Sequence, residues 1–234
     1  MPDESELEPF DPCDLLDGEC ARVDRHFSAG PDWTRPSRCE GWTTRDMLSH
    51  LMGVEDYNRA CLDGAVANLF KESGQAGVKD VDSFNAWGKA PYDAEPAAGV
   101  LERWRAANAA FRSEMRARGR HGTVDTSIGD YPSWLQSFHL AAEYATHADD
   151  IGVEVSEPDR AARTAWRVVF GRFVLAENDR PVTVEPAGPG RQRVRSGVEE
   201  AVLSDEDFVE ATQARLPADH PLSDVLRRAL STMP

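Results

Sequence analysis

Apolar residues recur along the first part of the chain with the spacing of helices that bury one face. In residues 13–28 they follow the i, i+4, i+7, i+11 stripe of one helix, and Gly30-Pro31 ends the pattern. A T-x-x-D capping box, Thr43 with Asp46, opens a second predicted helix. The stripes of these two helices are Leu16, Cys20, Val23 and Phe27, and Met47, Leu51, Val54 and Cys61.

Two more helices are predicted beyond a connection that spans residues 65–94. This connection contains Gly, Asp and Pro without a sustained period, so only a turn of helix near Phe84–Trp87 is expected within it. Pro96 suits the first turn of the third helix, and after a further loop a fourth helix is predicted over residues 133–152. Four helices with two longer connections predict an antiparallel bundle.

The rest of the chain predicts a smaller α+β region. A helix is expected at about residues 160–177, followed by a short β-hairpin around an Ala-Gly-Pro-Gly turn and by closing helices at 204–216 and 222–230. The predicted fold class is therefore mainly α. A four-helix bundle is expected over residues 1–157 and a small C-terminal region over residues 158–234.

The charge balance narrows the set of partners. The net charge of the 234 residues is −15, and basic runs clear of acids are missing, so nucleic-acid binding is not expected. Apolar stretches of the ~20 residues that span a bilayer are missing too, and the N-terminus MPDESELEPFDPCD is acidic where a signal peptide is basic. A cytoplasmic protein with reduced cysteines and no membrane partner is expected. The oligomeric state stays open, and a homodimer is one state that the sequence allows.

The predicted fourth helix carries a polar line between apolar flanks. The side chains that share about a quarter-turn of this helix are His139, Glu143, Thr146, His147 and Asp150. Buried imidazoles and carboxylates are costly unless they are paired or bind a metal, so this line needs a partner. His50 falls on the apolar side of the second helix and can complete a His, Glu, His set with Glu143 and His147. The E-x-x-x-H spacing puts the last two on successive turns, ~6 Å apart.

A structural interpretation of the same residues stays open at this point. A core histidine is more often only hydrogen-bonded than metal-bound, and a helical Glu/His pair is often an ion pair. Spacing alone therefore does not decide between a metal site and a satisfied core.

Two motifs resemble a known family. They are W-T-x-x-D-M-L-x-H-L at residues 42–51, preceded by Arg-Cys-Glu-Gly, and E-Y-A-T-H-A-D-D-I-G at residues 143–152. Together they resemble the DinB-like, mycothiol-dependent maleylpyruvate isomerase N-terminal family, over roughly residues 10–155. The resemblance implies a DinB-like four-helix bundle and a divalent metal of the zinc type, with Ni²⁺ or Fe²⁺ as alternatives. It also implies a bacterial low-molecular-weight thiol, such as mycothiol, as cosubstrate.

By position in these motifs, the metal ligands are His50, Glu143 and His147. Asp150 matches an acidic position after the second histidine, and we expect it to orient an imidazole or a bound substrate; an ordinary helix-terminal acid is the alternative. His139 is the rival ligand, but it lies ~12 Å along the helix axis from His147, too far for one ion to bind both. The family motif favours Glu143 and His147 as the ligands. We therefore predict that His139 is a pocket residue that positions substrate or transfers a proton.

The functional prediction is a metal-dependent thiol S-transferase or isomerase that acts on a small molecule. Three protein ligands leave a coordination position open, as catalytic sites do. The aromatic candidates for the pocket lining are Tyr57, Trp87 and Trp134, although aromatic residues at helical spacing more often belong to the core. The competing functions are a metal-dependent hydrolase or lyase, iron-dependent oxygen chemistry, and a metal- or ligand-binding stress protein without turnover. The pattern after the bundle does not match the family's sterol-carrier-like C-terminal domain, so substrate contacts from that domain are not transferred.

Overall fold

The computed structural model describes residues 3–232, which divide into two compact units. Residues 11–153 form the bundle unit, and residues 3–10 with 154–232 form the C-terminal unit. The sequence placed residues 3–10 with the bundle, but Arg172 of the C-terminal unit pairs with Glu6. A short segment without periodicity gives no signal of where it packs, which is why the sequence assigned it to the neighbouring bundle.

The four predicted helices of the bundle are all present. They are α1 (Pro12–Ser28), α2 (Thr44–Asp63), α5 (Ala97–Arg118) and α6 (Ser133–Asp150). Helix α1 packs against α6, and α2 packs against α5. The predicted capping box forms, since the Thr43 backbone N–H donates to Asp46 Oδ2 at 2.9 Å and the Asp46 backbone N–H donates to Thr43 Oγ1 at 3.3 Å. Gly64 ends α2 in the left-handed conformation, at φ 65°.

The connection between α2 and α5 is helical, so the prediction of a crossover with one helical turn is wrong. It contains α3 (Val66–Gln75) and α4 (Val81–Asp93), and both pack against α2. Few of their side chains are buried: Val66 and Ser73 in α3, and Tyr92 in α4. Gly74 lies inside α3, and Gly88 and Pro91 lie inside α4. Residues of these types ordinarily indicate turns and loops, which is why the sequence predicted a connection here.

A β-hairpin replaces the loop predicted before α6. Strands β1 (Thr123–Thr126) and β2 (Gly129–Pro132) pair antiparallel around a turn at Ser127 and Ile128. Gly129 has φ 94°, a conformation that favours glycine. Four-residue strands are too short to display the alternation that predicts a strand.

The C-terminal unit combines helices with a three-stranded antiparallel sheet. Its elements are α7 (Glu157–Glu177), β3 (Thr183–Pro186), β4 (Arg191–Ser196), β5 (Glu199–Ser204), α8 (Asp205–Thr212) and α9 (Asp224–Leu230). The predicted hairpin is β3–β4, and the unpredicted strand β5 pairs with the free edge of β4. Val194 and Leu203 of the sheet are buried in one apolar cluster with Phe208 of α8.

The structure confirms the predicted fold class, mainly α with a small α+β region at the C-terminal end. Within the described residues, helices long and apolar enough to cross a membrane are not found. All four cysteines are free thiols.

Candidate metal centre

Three donor atoms from two helices meet at one point of the bundle unit. His50 of α2 presents Nε2, and one turn apart on α6, Glu143 presents Oε1 and His147 presents Nε2. The two imidazole nitrogens lie 3.1 Å apart, and Oε1 lies 3.3 Å from His50 Nε2 and 3.0 Å from His147 Nε2. We call these atoms the donor triangle. Both imidazoles are buried, whereas the Glu143 side chain is 32% exposed.

The dimensions of the donor triangle fit a divalent metal. Zinc with bonds of ~2.0–2.1 Å in a tetrahedron separates its donors by about 3.3–3.4 Å. The observed separations of 3.0–3.3 Å are close to this value. Two imidazoles and one carboxylate are also a common donor set for zinc, nickel and iron. The residues present therefore fit the group that the sequence predicted.

The buried carboxylate of Asp150 fixes the orientation of His147. His147 Nδ1 lies 3.0 Å from Asp150 Oδ2, and because a carboxylate only accepts, Nδ1 carries the proton. Nε2 then faces the donor triangle and would offer its lone pair to an ion bound there, as in other metal sites with a carboxylate behind the histidine. Asp150 therefore lies beside the imidazole that the sequence predicted it to orient, and the orienting role itself stays a prediction.

The segment before α2 contributes contacts that sequence reasoning did not assign. Cys39 Sγ lies 3.3 Å from Asp150 Oδ2, and Arg38 Nε lies 3.8 Å from Asp150 Oδ1. The Trp42 ring packs 5.1 Å from the ring of His50. These residues belong to the motif that carries the family resemblance, but nothing in their spacing predicts that they surround the ligands.

The titrating groups of the centre are strongly coupled. Burial disfavours the charged form of His147, but the charge of Glu143 and the hydrogen bond to Asp150 raise its pKa well above the ordinary value. Burial opposes ionisation of Glu143, but the charge of His147 and the hydrogen bonds from both imidazoles hold its pKa well below the ordinary value. Burial lowers the pKa of His50. A proton on His147 thus supplies positive charge beside two carboxylates, and a metal ion must displace that proton.

A cavity of about 640 Å³ opens at the donor triangle, and His50 and Glu143 form part of its lining. His139 also lines the cavity, and its Nε2 lies 3.2 Å from the hydroxyl of Tyr131. Two groups among the described residues could hold a metal ion, the donor triangle and the set of Cys39, His147 and Asp150, and His139 belongs to neither. Its predicted place in the pocket matches this position, while its catalytic role stays a prediction.

The three aromatic residues predicted for the pocket or the core differ in position. Trp134 is buried and is not among the described lining residues. Tyr57 lines the cavity, and its hydroxyl accepts the N–H of Ser127 at 3.2 Å. Trp87 is not among the described lining residues; it packs 5.8 Å from Phe84, which is one of them. Sequence reasoning missed Phe70 and Phe84, because both lie in the segment that was predicted to be a connection.

Replacing Asp150 with asparagine is expected to weaken zinc binding about 10- to 100-fold, the usual effect of changing a group behind a ligand. The neutral amide no longer raises the basicity of His147. Competition with a chromophoric chelator measures the affinity, and Asp149→Asn is the matched control, since it removes the same charge from the neighbouring position of α6. Equal affinity in Asp150→Asn and the native protein would contradict the orienting role.

Fold and site together define a mainly α protein with a helical bundle and a candidate divalent-metal centre. The sequence profile of the mycothiol maleylpyruvate isomerase N-terminal domain family matches residues 16–152, which is more than half of the chain. The chain belongs to this family, which confirms the resemblance predicted from the two motifs. The match contains the whole donor triangle. Neither a curated protein nor a solved structure matches the chain significantly.

Proposed function

We propose that this chain is a metal-dependent enzyme that uses a low-molecular-weight thiol of the mycothiol type for S-transfer, thiol exchange or isomerisation of a small molecule. The observation that carries the proposal is the donor triangle at the wall of a cavity. Because His50 and Glu143 line this cavity, a ligand bound in it has access to an ion that these residues hold. Family membership supports the use of a mycothiol-type thiol, since the family is named after a mycothiol-dependent isomerase.

The donor set suits thiol chemistry. A divalent ion held by two neutral imidazoles and one carboxylate keeps a net charge of +1 and lowers the pKa of a thiol that coordinates it. The residues of the chain supply the remaining functions. Asp150 holds His147 in its orientation. His139, on the cavity wall, is placed to accept the proton that the thiol releases or to return it to the product.

A thiol is expected to stabilise the protein only when the metal is bound. At a mycothiol concentration of 100 times Kd, the linkage of binding to folding adds about 2.7 kcal/mol, or about 5–10 °C in Tm. Differential scanning fluorimetry on the zinc-loaded and zinc-free protein measures this shift.

The matched control ligand is S-methyl mycothiol, which has the same sugar and cyclitol but no thiol proton to lose. It is expected to give a much smaller shift. Equal shifts with and without zinc would favour a binding protein over the proposed enzyme, and no shift in either form would refute the use of this thiol.

A further inference from the structure

We infer that the small-molecule substrate has an uncharged aromatic or apolar body, which binds against Tyr57, Phe70 and Phe84, and that it is not a dicarboxylate. This inference rests on the proposed function, because the donor triangle forms part of the same cavity.

Three aromatic rings from three helices form one side of the cavity. Tyr57 comes from α2, Phe70 from α3 and Phe84 from α4, and all three line the cavity. Their ring centroids lie 6.5, 6.4 and 5.5 Å apart, within the range of packed aromatic pairs. We call this group the aromatic wall. Phe70 is still 39% exposed, so part of its ring surface remains for a ligand to cover.

The aromatic wall stands at a defined distance from the donor triangle. His50, Val54 and Tyr57 line the cavity from one face of α2, at the i, i+4 and i+7 positions. The helical rise separates the first from the last by about 10 Å along the axis. A substrate whose reacting group lies at the metal can therefore place the rest of the molecule over Val54. A body about one ring long then reaches the aromatic wall.

Two glycines allow the helices that carry Tyr57 and Phe84 to approach closely. A Cβ added to Gly53 of α2 would lie 2.8 Å from the backbone of Gly88 in α4, so the two helices meet backbone to backbone. Tyr57 follows Gly53 by one turn, and Phe84 precedes Gly88 by one turn. The close approach of the glycines thus brings these two rings together beside the cavity.

The charges of the cavity lining do not suit a dianion. Apart from the donor triangle and His139, the charged residues among the described lining are the neighbours Lys79 and Asp80, whose charges offset each other. Arginine, whose planar fork binds carboxylates in pairs of hydrogen bonds, is not among the described lining residues. Maleylpyruvate carries two carboxylates, and only one of them can lie at the metal. The second carboxylate would have Lys79 as a positively charged neighbour, but the negative charge of Asp80 lies next to Lys79.

The volume supports the same conclusion. A cavity of about 640 Å³ lies in the middle of the ~300–1,000 Å³ range of sites for drug-sized ligands. The thiol needs part of this space, and a small diacid in the rest would leave the aromatic wall uncovered. Binding of an aromatic body removes from water both its own apolar surface and that of the aromatic wall.

The test compares two metal-binding probes on the zinc-loaded full chain. Acetohydroxamate and benzohydroxamate bind zinc through the same group and differ by a methyl against a phenyl substituent. Burial of the phenyl ring is expected to make benzohydroxamate bind about 10- to 100-fold more tightly, measured by isothermal titration calorimetry. The hydroxamate of succinic acid, with a carboxylate tail, is expected to bind no more tightly than acetohydroxamate.

Variants of the aromatic wall test whether its side chains cause the tighter binding of benzohydroxamate. Phe84→Ala is expected to reduce the preference for benzohydroxamate to a few-fold while the affinity for acetohydroxamate, which reports the metal centre, stays the same. Phe70→Ala is a second variant whose fold is safer, because this side chain is already 39% exposed. Ile128→Ala is the control, since Ile128 is 75% exposed, follows the lining residue Ser127 and is not itself among the described lining residues.

The outcomes separate this inference from the proposed function. Equal affinity for the two probes, or tighter binding of the carboxylate probe, would overturn the inference and leave the metal centre intact. A preference that survives in both phenylalanine variants would also overturn it. An aromatic preference without any thiol-dependent stabilisation would instead support the inference and refute the thiol chemistry. Failure of the protein to bind zinc would overturn both.

Discussion

Replacing His147 with alanine is expected to lower the affinity for zinc by at least about a hundred-fold, because loss of a ligand exceeds the 10- to 100-fold effect of changing a group behind one. His147 supplies the Nε2 that lies 3.1 Å from His50 and 3.0 Å from Glu143. Without it, the two remaining donors hold the ion weakly. Competition titration with a chelator on the purified full-length protein gives the affinity.

The matched comparison is His139→Ala, the other histidine on the same polar line of α6. It lines the cavity but belongs to neither ligand group among the described residues, so zinc affinity is expected to stay nearly unchanged and turnover to fall. Circular dichroism checks that both variants keep their helices. If His139→Ala loses the metal and His147→Ala keeps it, the centre lies one turn from the donor triangle.

Replacing Glu55 with alanine is expected to lower the free energy of unfolding by about 3 kcal/mol or more, because several buried donors lose their acceptor together. Glu55 is 2% exposed and accepts from Asn108 Nδ2 at 2.9 Å, from Asn58 Nδ2 at 3.2 Å and from the Tyr144 hydroxyl. Urea denaturation followed by circular dichroism measures the loss.

The pH dependence of this effect has a definite sign. Burial raises the pKa of Glu55 above its ordinary value of 4.5, in spite of the hydrogen bonds from Asn108 and Tyr144. The folded protein therefore favours the protonated form. The stability from this group is complete below pH 4.5 and is lost as pH rises through the folded-state pKa.

Glu55→Gln is the matched control for both effects. Its amide keeps an acceptor for Tyr144 and Asn108, and its NH₂ can donate to Asn58 Oδ1, which is buried without a partner, if the Asn58 amide turns over. The stability of Glu55→Gln relative to the native protein is expected to increase as pH rises above about 4.5. A constant difference from pH 4.5 to 8 would show that the native carboxyl is already ionised throughout this range.

The sequence by itself determined the local features of the bundle. The Thr43 capping box, the stop at Gly64 and the apolar stripes fixed four helices close to their observed ends. The pair Glu143 and His147 was fixed in the same way, because the helical repeat places residues four apart on one face whatever surrounds them. The two motifs also identified the family, and the matching profile confirms it.

The sequence did not reveal elements that are very short or that contain residues typical of loops. Helices α3 and α4 contain Gly74, Gly88 and Pro91, which favour a loop in the sequence, and the strands β1 and β2 have four residues each, too few for the alternating period to be visible. The strand β5 is recognisable only by its pairing with β4. The aromatic wall depends on these elements, and for this reason the sequence could not predict it.

Only the tertiary structure decided which distant residues meet. His50 lies 93 residues before Glu143, and Cys39 lies 111 residues before Asp150, yet each pair is within 3.3 Å. Such contacts depend on how α2 and the segment before it pack on α6, and helical spacing carries no information about that packing. The physical reason for the division is that a helix is specified by neighbours in sequence, whereas a site is specified by neighbours in space.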